Sequence, residues 1–249
     1  MRKLLKTLIK QTPIYPALQN FRIAREYGDT KNSLIYIHIG KCGGVTLSNA
    51  IDKSDLLREK FNRISKIHVQ KPPILRNARY MILIRNPISR AISAFNWRYK
   101  LVVTDKEQKT RIRGEYEILK KYGTLNAIAE KLFTDGELNS DVATEFRTIH
   151  HLKEDIAFYL TELLEKISPD QVYAVLSTEA LDEDILKLLG VSTSEKVHEN
   201  ASSTDSDKKF LSEVAIANLH RFLVEDYRAL EKLIAISPTT NKKKNVLLK

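Results

Sequence analysis

The sequence predicts an α/β fold in which a mainly parallel central sheet is flanked by helices in three layers. Short β-branched runs alternate with longer helical patterns along the chain, which is typical of βα units. The 249 residues are 43% hydrophobic, enough to bury the core of one generous domain. Glycine and proline number only 8 and 7, and no internal repeat or low-complexity block interrupts the alternation.

Each element is predicted from its own pattern. The four strands are expected at Leu34–Ile39, Arg63–Val69, Tyr80–Ile84 and Val172–Leu176. The helices are expected at Thr46–Ile51, Ile88–Leu101, Glu115–Tyr122, Leu125–Phe133, Leu152–Lys166, Asp182–Leu189 and Leu211–Ile234. A charged segment between Thr104 and Arg113 and a Ser/Thr/Asn-rich segment between Ser192 and Asp207 are interpreted as surface loops.

The net charge of +10 is concentrated at the two ends of the chain. Residues 1–27 carry +5 and residues 242–249 carry +4, which leaves +1 for the body. We therefore divide the chain into a basic N-terminal extension at 1–27, one domain at 28–236 and a basic, flexible tail at 237–249. A nearly neutral body argues against a nucleic-acid partner.

The basic ends also contain apolar residues, so peripheral contact with an anionic membrane surface stays open beside simple solvated termini. Vesicle binding that survives deletion of residues 1–27 would remove the membrane interpretation. The single cysteine, Cys42, excludes an internal disulfide framework and favours a reducing, cytoplasmic location. Lys6 and Lys10 interrupt the apolar run that a signal peptide would need.

The most informative stretch is Leu34–Leu47, where an apolar strand ends in a glycine-rich turn that passes directly into a helix. In a strand–turn–helix segment, the backbone N–H groups of the turn and the positive end of the helix dipole point to one place. This geometry predicts an anion-binding site. Lys41 adds a mobile positive charge, and the Thr46 hydroxyl can donate from the first helical turn. The order differs from a Walker A loop, because Lys41 precedes the glycine pair and no Ser or Thr follows it directly. A tight packing turn is the alternative explanation.

A second anion-binding pattern follows the third predicted strand. That buried strand delivers Arg85 at its carboxyl end, and Pro87 then starts a helix. Because Ser93 lies eight residues after Arg85, a guanidinium and a hydroxyl can converge on one phosphate. Open α/β sheets bind their ligands in crevices at such strand ends.

The two motifs together resemble those of the sulfotransferases that use 3′-phosphoadenosine-5′-phosphosulfate (PAPS). The segment Gly40-Lys-Cys-Gly-Gly-Val-Thr-Leu47 is similar to the 5′-phosphosulfate loop of that family. The segment Arg85-Asn-Pro-x-x-Arg-x-x-Ser93 is similar to its 3′-phosphate motif. Looser similarity to the carbohydrate-sulfotransferase branch is found at Val172–Leu181, His198–Ser202 and Leu211–Leu233. The chain departs from the family at Gly40, Cys42 and Val45, where Pro, Thr and Thr are usual.

The resemblance implies a P-loop-like fold and an enzyme that moves a sulfuryl group from PAPS to a hydroxyl, with a polysaccharide or glycolipid as the expected acceptor. It implies nucleotide contacts from Lys41, Cys42, Gly43, Gly44, Val45, Thr46, Leu47, Arg85 and Ser93. In this arrangement Lys41 and the loop amides hold the 5′-phosphate and stabilise charge on the leaving oxygen, while Arg85 and Ser93 hold the 3′-phosphate. No metal is expected. A non-catalytic PAPS-binding module and a P-loop nucleotide kinase stay open as alternatives.

Transfer to a hydroxyl also needs a general base, and His68 is the first candidate. A carbohydrate branch of the family carries a histidine at the end of the second strand, although the usual preceding Gly is Ile67 here. The carboxylates of Glu59 and Asp55 are the alternatives, and a purely structural histidine would also explain His68.

The remaining polar residues near the motifs receive simpler interpretations. His38 is expected to be a buried structural histidine, and His150–His151 a solvated pair at the start of a helix. The helix N-terminus could lower the pKa of the Cys42 thiol. Nothing nearby in the sequence suggests a partner base, so Cys42 is interpreted as a residue that fills the loop and is susceptible to oxidation.

The helix after Arg85 carries further aromatic and basic residues. Three aromatic residues are expected to pack in the core or to flank adenine or a sugar ring, namely Phe95, Trp97 and Tyr99. Arg90 and Arg98 are expected either to reach the nucleotide or an acidic acceptor, or to be exposed.

Overall fold

The structure is a computed structural model that describes residues 21, 32–192, 209–237 and 241–248. In chain order its strands are β1 (Ser33–His38), β2 (Arg63–His68), β3 (Ala78–Ile84), β4 (Phe133–Thr134), β5 (Glu137–Leu138) and β6 (Val172–Ser177). Its helices are α1 (Gly44–Lys53), α2 (Asp55–Lys60), α3 (Pro87–Tyr99), α4 (Glu115–Tyr122), α5 (Leu125–Ala129), α6 (Ser140–Thr148), α7 (Ile156–Lys166), α8 (Leu181–Leu189), α9 (Glu213–Phe222), α10 (Val224–Ile236) and α11 (Asn241–Leu247). The N-terminal extension other than residue 21, and the His198–Ser202 block, lie outside these residues.

Four parallel strands form the central sheet in the order β2-β1-β3-β6, with helices flanking it. Each strand lies within two residues of its predicted position, so the α/β prediction is confirmed. Nearly every position of β1 and β3 is buried, as expected for central parallel strands that are covered on both faces.

The strand order places a crevice between β1 and β3. From β1 the chain first passes to β2 on one side, and it then returns to form β3 on the other side. The connections therefore leave β1 and β3 in opposite directions at their carboxyl ends. Such a switch point is where open α/β sheets bind ligands.

Buried apolar residues form two clusters. The first is centred on the sheet and includes residues of α1, α2, α7, α8, α10 and α11, while the second joins α3, α4, α5, α6 and α9. Leu247 is fully buried in the first cluster, and the Asn86 side chain donates a hydrogen bond to its carbonyl at 3.2 Å. The tail that was expected to be flexible therefore contains a helix that packs against the domain.

One predicted helix ends earlier than expected, and another is divided in two. The helix predicted to run to Phe133 ends at Ala129, and Phe133 instead begins the β4–β5 hairpin. Its turn, Asp135-Gly136, adopts φ values of 51° and 82°, because an Asp-Gly pair suits the left-handed conformation of tight hairpins. The long C-terminal helix is divided at Leu223, where φ −97° and ψ 19° leave the helical region.

Two further differences lie close to the candidate site. Asp155 caps α7 by accepting the Phe158 N–H at 2.8 Å, so this helix starts at Ile156 rather than at Leu152. After α3 the backbone passes into a π-helical turn at Lys100–Thr104. Within the described residues, no helix is both long and apolar enough to cross a membrane.

Candidate functional site

The turn between β1 and α1 has the backbone shape of an anion-binding loop. Lys41 and Gly43 adopt positive φ values of 70° and 83°, so the chain curls tightly before the helix. Positive φ is uncommon for a lysine, and such strain tends to persist at functional sites. No side chain caps the N-terminus of α1, and its first turn carries no acidic residue. The first N–H groups of α1 are therefore left for a ligand.

Side chains from three other segments hold the carbonyl groups of this loop. Arg90 Nε lies 3.0 Å from Gly40 O, Arg85 Nη1 lies 3.1 Å from Lys41 O, and Thr178 Oγ1 lies 2.8 Å from Cys42 O. Because three consecutive carbonyls are engaged by the protein, N–H groups are the main-chain groups that the loop can offer to a ligand.

Lys41 and Arg85 are brought together at the switch point, as the sequence predicts. Arg85 follows directly after β3 and reaches the loop after β1. The Lys41 ammonium lies 4.4 Å from the centroid of the Trp97 ring, a cation–π distance. Burial, followed by the Arg85 charge, lowers the pKa of Lys41 to about 8.

For the ligand that the sequence predicts, 3′,5′-bisphosphoadenosine (PAP), we expect the affinity to fall as pH rises through about 8, because the Lys41 ammonium loses its proton there. Titration calorimetry from about pH 7 to about pH 9.5 measures this dependence. Lys41→Arg is the matched control, because a guanidinium stays charged over the whole range. Parallel pH profiles for the two proteins would contradict the role assigned to Lys41.

Ser93 lies on the face of α3 that is turned toward the loop. Arg90, Ser93 and Trp97 follow i, i+3, i+7 spacing, so they share one side of the helix. The first of them contacts Gly40 O and the last contacts the Lys41 ammonium. Ser93 itself is buried.

The other predicted loop contacts differ in what they can offer. The side chains of Cys42 and Leu47 are fully buried, so these residues can contribute only backbone groups, while Val45 is 45% exposed and Thr46 is half-buried. Burial raises the pKa of Cys42 to about 12, which is opposite to the effect expected from the helix N-terminus. The lowered pKa is therefore not found, while the buried side chain fits the interpretation of Cys42 as a residue that fills the loop.

Two glycines of the loop make room for histidine rings. A Cβ at Gly44 would lie 1.8 Å from His38 Nε2, and a Cβ at Gly40 would lie 2.4 Å from His151 Nδ1. Packing of imidazole rings therefore explains why these two positions carry glycine. Gly43, by contrast, is required for its positive φ.

His68 stands beside the loop at the end of β2. The parallel register pairs it with His38, and the two rings stack with centroids 4.3 Å apart. His68 Nδ1 lies 3.0 Å from the carbonyl oxygen of His38. Since a carbonyl only accepts, Nδ1 must carry the hydrogen, and Nε2 of the neutral ring is then a free acceptor. The residue is exposed, so a substrate can reach it.

The His38 side chain packs among the rings of neighbouring residues. Its ring stacks on Tyr36 as well as on His68. Burial, followed by the neighbouring His68, lowers the pKa of His38 to about 4. Its imidazole is therefore neutral at physiological pH.

The alternative bases, Asp55 and Glu59, are exposed on α2. Asp55 lies 3.6 Å from the Arg58 guanidinium of the same helix. A solvated helix face explains both carboxylates.

Sequence reasoning missed several residues that surround the site. Arg90 and Arg98 are each only 1% exposed, and His151 is buried in the turn between α6 and α7 rather than solvated at the start of a helix. One signal was available: Arg90, Ala94 and Arg98 share one i, i+4, i+8 row of α3, and the central residue is an apolar core position.

No protein-family model matches this chain, and no curated protein matches it either. Among the residues that the structure describes, no three or more His, Cys, Asp or Glu side chains are grouped so as to hold a metal ion.

Proposed function

We propose that this chain is a sulfotransferase that moves the sulfuryl group of PAPS to a hydroxyl, most naturally one of a carbohydrate. The observation that carries the proposal is the meeting of the β1–α1 loop and Arg85 at the switch point of the sheet, where the Arg85 guanidinium donates to the main-chain carbonyl of Lys41 and its charge contributes to the lowered pKa of the Lys41 ammonium. Two cationic groups, one from each of two adjacent strand ends, suit a ligand that carries phosphate at two separate positions.

The 5′ end of the donor is assigned to the β1–α1 loop. There the amides of Gly43–Thr46 would hold the 5′-phosphate. Lys41 would neutralise the charge that develops on the phosphate oxygen as the S–O bond breaks. The stabilising groups are fixed before the reaction, because the loop carbonyls are held by three other side chains.

The 3′-phosphate is assigned to Arg85 and Ser93. A guanidinium and a hydroxyl that both donate to one phosphate would form a strong phosphate site. This second site is what would separate PAPS from ATP and ADP, which lack a 3′-phosphate.

His68 is assigned the role of general base. The acceptor hydroxyl would attack sulfur in line with the departing phosphate oxygen, and its proton would pass to His68 Nε2. The S–O bond to the phosphate breaks, its electron pair leaves with PAP, and the sulfate ester forms on the acceptor. The choice of a carbohydrate acceptor is supported only by the resemblance of the later segments to the carbohydrate branch.

Thermal-shift titration with PAP, ADP and ATP tests the assigned donor. At about 100 times Kd, selective binding adds about 2.7 kcal/mol to stability by mass action. For a domain of this size we expect PAP to raise Tm by roughly 5–10 °C, and ADP and ATP to raise it much less.

Arg85→Ala should abolish most of the PAP shift. Arg79→Ala is the matched control, because Arg79 is an exposed arginine near the opposite end of the same strand, and it should retain the shift. Equal shifts with ATP and PAP would favour a nucleotide kinase instead. Tight PAP binding without turnover on a panel of sugars would favour a non-catalytic module.

A further inference from the structure

The His150–His151 turn is held by three buried or half-buried side chains. The backbone N–H of His150 donates to Glu115 Oε1 at 2.9 Å, and that of His151 donates to Glu154 Oε2 at 3.3 Å. Arg90 Nη2 donates to the carbonyl of His151 at 2.5 Å. The backbone of the turn is therefore fixed by side chains from three other places in the chain.

These hydrogen bonds connect the turn to the candidate site. Arg90 also donates to Gly40 O, so one buried guanidinium joins the turn to the anion loop. Glu115 is held in turn by Arg98 through two hydrogen bonds of 2.8 and 2.6 Å, with both side chains 1% exposed. Two arginines of α3 therefore fix the turn from opposite ends.

His151 carries two features that stability alone does not explain. Its φ is 68°, a left-handed conformation that is unfavourable for a histidine. Its Nδ1 is buried without a hydrogen-bond partner. Both features cost free energy. Strained residues of this kind persist where the surrounding contacts hold them in place, and they are often found at functional sites.

The ring of His151 fills the space between the anion loop and the proposed base. Its Nδ1 stands over Gly40, where a Cβ would lie only 2.4 Å away. Its centroid is 5.9 Å from that of His68. Burial, followed by the neighbouring His150 and Arg90, lowers the pKa of His151 to about 2, so this ring is a neutral neighbour for a base that must accept a proton.

We propose that His151 is a positioning residue: its imidazole, carried by a turn whose backbone is held in place, packs beside the His68 ring so that Nδ1 stays bonded to His38 O and Nε2 stays free. The kinetic part of this inference rests on the proposed sulfuryl transfer. The orientation of the His68 ring does not depend on it. Without the His151 ring, His68 loses a packing neighbour and can rotate away from the His38 carbonyl.

His151→Gly and His151→Asn test the proposal, because both replacements tolerate positive φ and keep the turn. We expect kcat to fall about 10- to 100-fold in both, as for a slightly misplaced catalytic group. The Kd for PAP should stay within about twofold, because Arg85 and the loop are retained. Asp135→Gly, which relieves a positive φ in the β4–β5 turn, is the matched control and should change neither value.

A spectroscopic experiment distinguishes failure of this proposal from failure of the proposed function. In ¹⁵N-detected spectra of the His68 ring we expect one Nδ1-protonated tautomer in the wild-type chain and a mixture of tautomers in both His151 variants. A single retained tautomer overturns the proposal whatever happens to kcat, and so does an unchanged kcat beside a tautomer mixture. If the wild-type chain transfers no sulfuryl group, the proposed function fails and the spectra alone decide the positioning role.

Discussion

Replacing His68 by Ala is expected to lower kcat for sulfuryl transfer by about 10²- to 10⁴-fold, the usual contribution of a positioned general base. The imidazole stands at the end of β2 with Nδ1 bonded to His38 O, so the lost atom is the free Nε2 acceptor. The Kd for PAP should change by less than about twofold, because the assigned phosphate ligands lie on other elements. Steady-state kinetics and titration calorimetry measure the two quantities separately.

His220→Ala provides the control for this experiment. His220 belongs to α9 and its ring stacks on Tyr227, so we expect its loss to leave kcat unchanged. Near-normal turnover in His68→Ala would contradict the assignment of His68 as the general base. Glu59 and Asp55 would then be the candidates for that role.

Replacing Glu115 by Ala is expected to lower the free energy of unfolding by about 3–5 kcal/mol, because it leaves the Arg98 guanidinium buried without its partner. The side chains of Arg98 and Glu115 are each 1% exposed, and two short hydrogen bonds join them. The same carboxylate also accepts the His150 N–H, so a buried backbone donor is lost as well. Urea unfolding with a common m-value measures the change.

The Lys71–Glu162 pair is the matched surface control. Its side chains are 56% and 46% exposed, so Lys71→Ala should cost less than about 1 kcal/mol. A Glu115→Ala variant no less stable than the Lys71 variant would show that the buried pair does not stabilise the fold.

The strands and the class of fold could be predicted because their signal is local. Strands β1 and β3 are buried on both faces, so they appear as continuous apolar runs that no amphipathic helix would produce. Helix boundaries depend more on turn chemistry and tertiary contacts. The Asp135-Gly136 hairpin and the break at Leu223 both interrupt sequences with good helical periodicity.

The meeting of Lys41 and Arg85 could also be predicted, because the carboxyl ends of parallel strands share one edge of a sheet. The roles of Arg90 and His151 could not, since they depend on a contact between residues 61 positions apart in the sequence. The same reason applies to Cys42, whose pKa is set by burial that no sequence motif encodes.

The central claim is that the ends of β1 and β3 hold two phosphates of one nucleotide. The most direct test compares the affinities of PAP and adenosine 5′-phosphate for the wild-type chain and for Arg85→Ala by titration calorimetry. We predict that the wild-type chain prefers PAP by about 10- to 100-fold, the contribution of one charged hydrogen-bonded pair, and that Arg85→Ala loses this preference. Equal wild-type affinity for the two nucleotides, or an equal loss of both in the variant, would contradict the claim.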